Sequence, residues 1–108
     1  MEHDTTHALF SALGESTRRG IFQRLAREGE QTVGNLTEFA GISQPAVSKH
    51  LAVLKQAGLV EGRKDGRETY YQIAPGGLSP LVDWLKVYSD FWNGRLDALS
   101  SLLDRMDS

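Results

Sequence analysis

Groups of neighbouring side chains that could together ligate a metal are few in this sequence of 108 residues. It has no cysteine, so neither a thiolate metal site nor a disulfide framework is available. His3, Asp4 and His7 have a spacing that could hold a metal if the first turn were helical. A flexible, solvated N-terminal arm is the far commoner explanation of such a pattern. We therefore expect no metal and no cofactor, with binding at these three residues left open as the alternative.

An arrangement of side chains that could catalyse a reaction is also missing. No nucleophile stands beside a candidate base, and no glycine-rich loop could cradle a phosphate. Ser48 and His50 are two residues apart on a predicted helix, so they do not face each other. The sequence thus predicts a protein that is not an enzyme.

Hydrogen-bonding and basic side chains gather instead in one stretch, SQPAVSKHLAVLKQAGLV, which runs from Ser43 to Val60. At about 100° per residue, one face of a helix here is apolar and should pack into the core. That face consists of Val47, Leu51 and Leu54. The opposite face consists of Pro45, Ser48, Lys49 and Ala52. These small or flexible residues leave room for a base edge or a phosphate to approach.

Residues 33–57 form the pattern of a helix-turn-helix, in which the first helix braces the second in the major groove of DNA. Gln44 can pair with adenine, Lys49 with guanine, and Ser48 with either base. The start of the helix, with Ser43, favours a phosphate. An ordinary amphipathic helix with a solvated face would show the same pattern, so this motif needs support from the segment that follows it.

The following segment, Val60 to Ile73, has strand-like character on both sides of Asp65-Gly66, a two-residue hairpin signal. With Asp65 and Gly66 at the centre of a type I′ turn, Lys64 faces Arg67 directly. Like charges in that position destabilise a hairpin, and a DNA phosphate at the tip would relieve the repulsion. We therefore assign Lys64 and Arg67 to DNA.

The same register places Arg63 opposite Glu68, a pair that needs no ligand; we nevertheless include Arg63 in the DNA-binding set. Side chains expected to point inward are those of Val60, Tyr71 and Ile73. Tyr70 is expected to point outward and to pack on a neighbouring surface.

Charge is distributed unevenly along the chain, whose formal net charge is -2 and whose pI is about 5.9. Residues 43–73 hold five basic and three acidic residues, a local net charge of +2. Residues 1–42 and 79–108 each carry a net charge of -2. Local patches rather than the net charge decide what a surface attracts, so the acidic balance does not exclude DNA.

The order of elements is predicted as α-α-α-α-β-β-α, mainly α with a small β-hairpin, in a single domain over residues 1–108. The two outer helices, residues 8–13 and 81–106, carry an apolar arc too wide for one small domain to cover, which indicates a homodimer. The residues assigned to dimerisation are Leu9, Phe10, Leu13, Leu85, Tyr88, Trp92, Leu99 and Leu103. With neither a membrane span nor a signal peptide in the sequence, we expect a cytoplasmic protein.

The chain resembles the ArsR/SmtB family of bacterial winged-helix repressors. The resemblance runs from about Ala8 to Leu103 and rests on three segments in order: ALGESTRRGIFQRLAREGE, GNLTEFAGISQPAVSKHLAVLKQAGLV and RKDGRETYYQI. It implies a winged helix-turn-helix fold and a dimeric repressor. Such a repressor would bind an inverted-repeat operator through helix 43–57 and through the wing, the hairpin of residues 60–73. The residues of the helix that it places near DNA are Ser43, Gln44, Ser48, Lys49 and His50, to which we add Pro45.

The sequence departs from the metal-sensing branches of this family. Metal-sensing relatives place thiolates where this chain has Thr32 and Gly34. Other relatives place carboxylate and imidazole ligands where it has Pro75, Gly77, Tyr88 and Phe91. The resemblance therefore implies a branch without the usual metal ligands and with an unknown effector. The alternative function is a winged-helix module that docks on a partner protein without reading DNA.

Overall fold

The computed structural model describes the backbone of residues 2–107. The side chains of residues 2–4, 90–93, 96–97, 99–100 and 107 lie outside the described part. The elements in chain order are α1 (Glu2–Gly14), α2 (Ser16–Glu28), β1 (Gln31–Thr32), α3 (Val33–Ala40), α4 (Gln44–Gln56), β2 (Val60–Asp65), β3 (Glu68–Ile73), α5 (Ser79–Val87) and α6 (Ser89–Asp107). The fold is mainly α with a small hairpin, as the sequence predicts.

Helices α3 and α4 form the helix-turn-helix because the residues at their ends satisfy backbone groups that a helix leaves unpaired. The Thr32 hydroxyl accepts from the amide of Asn35 at 3.0 Å and caps α3. Gly41 ends α3 in the left-handed region, at φ 68°, where a side chain would be strained. Ser43 caps α4 by accepting from the amide of Ala46 at 3.3 Å. These short connections fix α4 against α3.

The core of residues 1–78 lies between α1–α4 and the base of the hairpin. Its largest fully buried side chains are Leu9, Ile21, Leu25, Leu36, Val47, Leu51, Leu54 and Leu59. Val47, Leu51 and Leu54 recur every three or four residues, so one stripe of α4 is completely buried. The predicted inner face of this helix is confirmed.

The hairpin belongs to a three-stranded antiparallel sheet in the order β1-β3-β2. The two-residue strand β1 was not predicted from the sequence. Its Gln31 pairs with Tyr71, and its Thr32 pairs with Tyr70. A strand this short carries no periodicity of its own, since its hydrogen bonds depend on a partner almost forty residues away along the chain.

The hairpin register predicted from Asp65-Gly66 is wrong. Lys64 pairs with Thr69, Arg63 with Tyr70, and Asp65 with Glu68, which leaves Gly66 and Arg67 as the turn. A type I′ turn needs positive φ at both central residues, whereas the positive φ angles within residues 2–107 belong to glycines alone, Gly66 among them at 65°. A positive φ at the first central residue only is the pattern of a type II′ turn.

Residues 79–108 form a second compact unit, separate from residues 2–78. The sequence predicts one continuous helix over 81–106, but the structure ends α5 at Val87 and begins α6 at Ser89. At this break the amide of Tyr88 donates to the carbonyl of Leu85 at 3.0 Å, and the Ser89 hydroxyl donates to the carbonyl of Lys86 at 2.9 Å. These bonds satisfy carbonyl groups that the end of a helix exposes, which explains a break without proline or glycine.

A single domain over residues 1–108 stays a prediction. Among the described helices, none is both long enough and apolar enough to cross a membrane.

Candidate nucleic-acid interface

The outer face of α4 is accessible along the first half of the helix. Pro45, Ser48, Lys49 and Ala52 are exposed on the side away from the buried stripe, and Gln44 is exposed at the N-terminal end of the helix. Within the described part of the chain, the Lys49 ammonium makes no hydrogen bond or ion pair. The face therefore offers amide, hydroxyl and ammonium groups without bulky apolar side chains, so a flat polar surface can approach it closely.

The start of α4 adds backbone donors to this face. The Ser43 hydroxyl accepts a hydrogen bond from the amide of Ala46. Pro45, in the first turn, has no amide hydrogen. The remaining first-turn amides point out of the helix and carry the partial positive charge of its dipole. An anion at this end is consequently favoured by the helix itself as well as by side chains.

His50 turns away from this face and packs against the start of α2. Its Nδ1 lies 3.4 Å from an Arg18 guanidinium nitrogen and 3.7 Å from a Glu15 carboxylate oxygen. The side chain is only 20% exposed. The resemblance placed His50 near DNA, whereas the structure shows it packed against Arg18 and Glu15.

Glu15 and Arg18 join three helices around this histidine. The Glu15 carboxylate accepts from the amides of Thr17 and Arg18, and these bonds hold its pKa below the ordinary value of 4.5. The nearby His50 and Arg18 lower the same pKa further. Arg18 also donates to the carbonyls of Ala12 at 2.7 Å and Ser11 at 3.3 Å, at the end of α1. The cluster therefore fixes α4 to α2 and α1.

The tip of the wing carries two exposed basic residues, Lys64 and Arg67. Neither makes an ion pair or hydrogen bond with another described residue. They do not face each other as predicted, because Lys64 pairs with Thr69 while Arg67 sits in the turn. The repulsion that first suggested a DNA contact is thus absent, but the two unpartnered cations at the tip remain.

Arg63, the third basic residue assigned to DNA, is engaged elsewhere. Its guanidinium donates to both carboxylate oxygens of Glu30, at 2.9 Å and 2.7 Å, and lies 4.7 Å from the centre of the Tyr70 ring. A third nitrogen lies 3.5 Å from the carboxylate of Asp65. The predicted pair with Glu68 is therefore wrong, and Glu30 occupies the edge of Arg63 that could hold a phosphate in the bidentate manner.

Sequence analysis missed Glu15, Arg18 and Glu30 as residues that hold the interface in place. Glu15 caps the start of α2, and this local role does not by itself reveal its contact with His50. Arg18 lies 32 residues from His50, and Glu30 lies 33 residues from Arg63. No local pattern reveals such partners.

The residues assigned to dimerisation fall into three groups. Leu9 is completely buried within the protomer, so it offers no surface to a partner. Phe10, Leu85, Tyr88 and Leu103 are between 42% and 51% exposed, and Leu13 is half-buried. The side chains of Trp92 and Leu99 lie outside the described residues. Considerable apolar surface thus remains exposed on each unit of the protomer.

The possible metal site at the N-terminus lies mostly outside the described residues, because it includes the side chains of His3 and Asp4. His7 is exposed. Among the described residues, no cluster of three or more His, Cys, Asp or Glu side chains has the arrangement of a metal site.

Comparison with known proteins matches both the motif and most of the chain. A family model described as a helix-turn-helix domain matches residues 13–63. The chain is 42% identical over 95 residues to the HTH-type transcriptional regulator Rv2034 of Mycobacterium tuberculosis, covering 88% of this chain and 85% of that protein. The solved ArsR-like transcriptional regulator from Rhodococcus sp. RHA1 is 31% identical, with a TM-score of 0.72 and 93% of each chain covered. The chain belongs to the ArsR family.

A further ArsR-type structure is similar over most of its length. This is the homodimeric winged helix-turn-helix DNA-binding domain Mb0332 from Mycobacterium bovis, at 32% identity and a TM-score of 0.66, covering 81% of this chain and 80% of that one. As a member of the ArsR family, the protein is a transcriptional regulator and not an enzyme.

Proposed function

We propose that this ArsR-family chain is a dimeric repressor that binds an inverted-repeat DNA operator in the cytoplasm. One observation carries the proposal: the start of α4 exposes Gln44, and its outer face exposes Ser48 and Lys49 beside small residues, while its inner stripe is completely buried. A helix held in this way can enter the major groove without losing contact with its own core.

Residues on α4 and on the wing would make different kinds of contact with DNA. Gln44, Ser48 and Lys49 read base edges, since amide, hydroxyl and ammonium groups can each bond to the major-groove edge of a base pair. Ser43 and the first-turn amides hold a phosphate at the start of the helix. Lys64 and Arg67 hold the backbone next to the groove, where their charges supply affinity without sequence information.

Dimerisation would double these contacts and set their spacing. Exposed apolar side chains on the outer helices, Phe10, Leu85, Tyr88 and Leu103, support an interface between two copies. The similar Mycobacterium bovis domain is homodimeric. A twofold dimer requires operator half-sites that are inverted and separated by about one helical turn of DNA or a multiple of it.

Footprinting of the purified protein on genomic DNA tests the proposal and identifies the operator. We expect protection of an inverted repeat, with two protomers bound to each site. Repeating the experiment with candidate metals and small molecules would identify the effector as the additive that removes protection. Equal protection of unrelated fragments would contradict the proposed sequence-specific binding, and absence of protection on every fragment would favour the protein-docking alternative.

A further inference from the structure

Arg63 is a basic residue of the wing whose charge the protein already neutralises. Two of its guanidinium nitrogens donate to the two carboxylate oxygens of Glu30, at 2.9 Å and 2.7 Å. The third lies 3.5 Å from the carboxylate of Asp65. One face of the guanidinium also lies 4.7 Å from the centre of the Tyr70 ring. Each nitrogen of this cation therefore faces an intramolecular carboxylate.

This arrangement spans all three strands on one face of the sheet. Arg63 is in β2 and pairs with Tyr70 in β3, which pairs in turn with Thr32 in β1. Glu30 directly precedes β1. Exposed ion pairs usually contribute little, but bidentate geometry within a network is the recognised exception. The strands hold both partners in register, so the pair forms without ordering two free side chains.

The ionisation of the two partners is consistent with a persistent pair. The guanidinium of Arg63 holds the pKa of Glu30 below its ordinary value of 4.5, and the bonds to Glu30 raise the pKa of Arg63. Both groups are therefore charged at neutral pH. By contrast, Lys64 and Arg67 on the same wing have no such partner among the described residues.

DNA would act differently on these three cations. A phosphate can bind Lys64 or Arg67 without breaking an intramolecular bond. To bind the Nε–Nη2 edge of Arg63 in the bidentate manner, a phosphate must replace the two charge-assisted bonds to Glu30. Phosphate contacts supply the sequence-independent part of DNA affinity, so a masked arginine lowers the affinity for every duplex, including the many competing sites of a genome.

We propose that Glu30 limits the binding of nonspecific DNA by withholding Arg63 from the phosphates. The inference rests on the proposed DNA-binding function and adds a residue that restrains it. Glu30 contacts no DNA in this account, since it acts only through Arg63.

Binding of the full-length protein to a duplex of scrambled sequence, measured over a series of salt concentrations, tests this role. Glu30→Gln removes the carboxylate that holds Arg63. Glu61→Gln is the matched control, because Glu61 lies on the same face of the wing and its carboxylate also accepts a side-chain hydrogen bond, from the Gln72 amide at 2.8 Å. Both variants lose one negative charge, and only the first releases Arg63.

We expect Glu30→Gln to bind the scrambled duplex more tightly than Glu61→Gln does at low salt. Its slope of log affinity against log salt should be steeper by about 0.9 for each new phosphate contact, or about two units in a dimer that uses both copies of Arg63. Adding Arg63→Gln to Glu30→Gln should return the slope to that of the Glu61→Gln control, which would identify Arg63 as the released cation.

Equal slopes for Glu30→Gln and Glu61→Gln would overturn the inference. Weaker binding by Glu30→Gln would overturn it too, because the pair would then position the wing for DNA. If Glu30→Gln does not fold, Arg63→Gln alone decides: the inference requires a wild-type slope, and a slope reduced by about one unit per contact contradicts it. Absence of salt-dependent binding by the wild-type protein would instead refute the proposed function.

Discussion

Helix α4 and the wing both present exposed polar side chains, yet their geometry depends on different information. In α4, one stripe of residues within a single helix decides which side is buried, so Val47, Leu51 and Leu54 indicate the outer face without any knowledge of the rest of the fold. In the wing, each contact depends on which residues occupy the turn. The two regions therefore differ in how much their local sequence reveals.

The error in the wing register is a shift of two residues along β3. Lys64 was expected opposite Arg67 and lies opposite Thr69. Because side chains alternate with a period of two, such a shift changes every cross-strand pair but keeps every side chain on its face. This explains why Tyr71 and Ile73 still lie on the same face as Val60, although the charge pairs predicted for the tip are absent.

Truncation of the buried face of α4 should have the largest effect. Leu51 is completely buried, so Leu51→Ala should lower the free energy of unfolding by about 2–5 kcal/mol. Urea denaturation measures this change. Ala52→Ser, on the exposed face of the same helix, is the control and should leave the midpoint nearly unchanged. A small loss for Leu51→Ala would mean that α4 is not held as the structure describes.

Removal of a side chain of α4 that reads bases should have the second-largest effect. If Gln44 makes a bidentate contact with adenine, Gln44→Ala should weaken operator binding by about 1–3 kcal/mol and relax the preference for one base pair. Gln56→Ala, at the other end of α4, is the matched control. Competition binding with operators substituted at each position measures both effects. A uniform loss on all sequences would assign Gln44 to the backbone instead.

Removal of a cation at the wing tip should have a smaller effect that does not depend on sequence. Lys64→Ala should reduce the salt slope by about one unit for each phosphate contact and weaken operator and scrambled duplexes alike. Lys55→Ala removes the same charge from the last turn of α4 and should leave the slope unchanged. If the affinity of the wild-type protein for DNA did not change with salt concentration, the assignment of Lys64 and Arg67 to DNA would be wrong.

Lowering the pH should weaken the contacts of Glu15, which hold α4, and of Glu30, which hold the wing. This effect on stability should be the smallest of the four. Glu15 and Glu30 have folded-state pKa values below 4.5, so each contributes stability that is present above that pH and lost as the pH falls through its lower folded value. Glu15→Gln and Glu30→Gln should therefore lose less stability than the wild type between about pH 6 and pH 3. Urea titrations at both pH values measure this difference, and identical losses in all three proteins would contradict it.

The parts of the fold that sequence analysis predicted are those with local signals. Ser43 and the apolar stripe that follows it predicted helix 43–57, and the structure has α4 at Gln44–Gln56. The break at Tyr88 was missed because its determinants are hydrogen bonds by a backbone amide and the Ser89 hydroxyl, in a segment whose apolar pattern continues across the break.

The parts of the site that were missed depend on distant partners. His50 was placed near DNA because it lies within the helix-turn-helix, but its surroundings are determined by Glu15 and Arg18 at the start of α2. Arg63 was assigned to DNA by its charge and its position on the wing, while in the structure its guanidinium binds Glu30, which precedes β1. A basic residue in a binding motif is thus informative only once its intramolecular partners are known.

A nuclear magnetic resonance titration of the labelled protein with the operator duplex tests the central claim most directly. The account predicts that the largest changes in backbone amide shifts fall at residues 43–49 and 64–67, with smaller changes around Glu15 and Glu30. Changes concentrated on the exposed residues of α3, such as Phe39, with α4 and the wing tip unaffected, would contradict it.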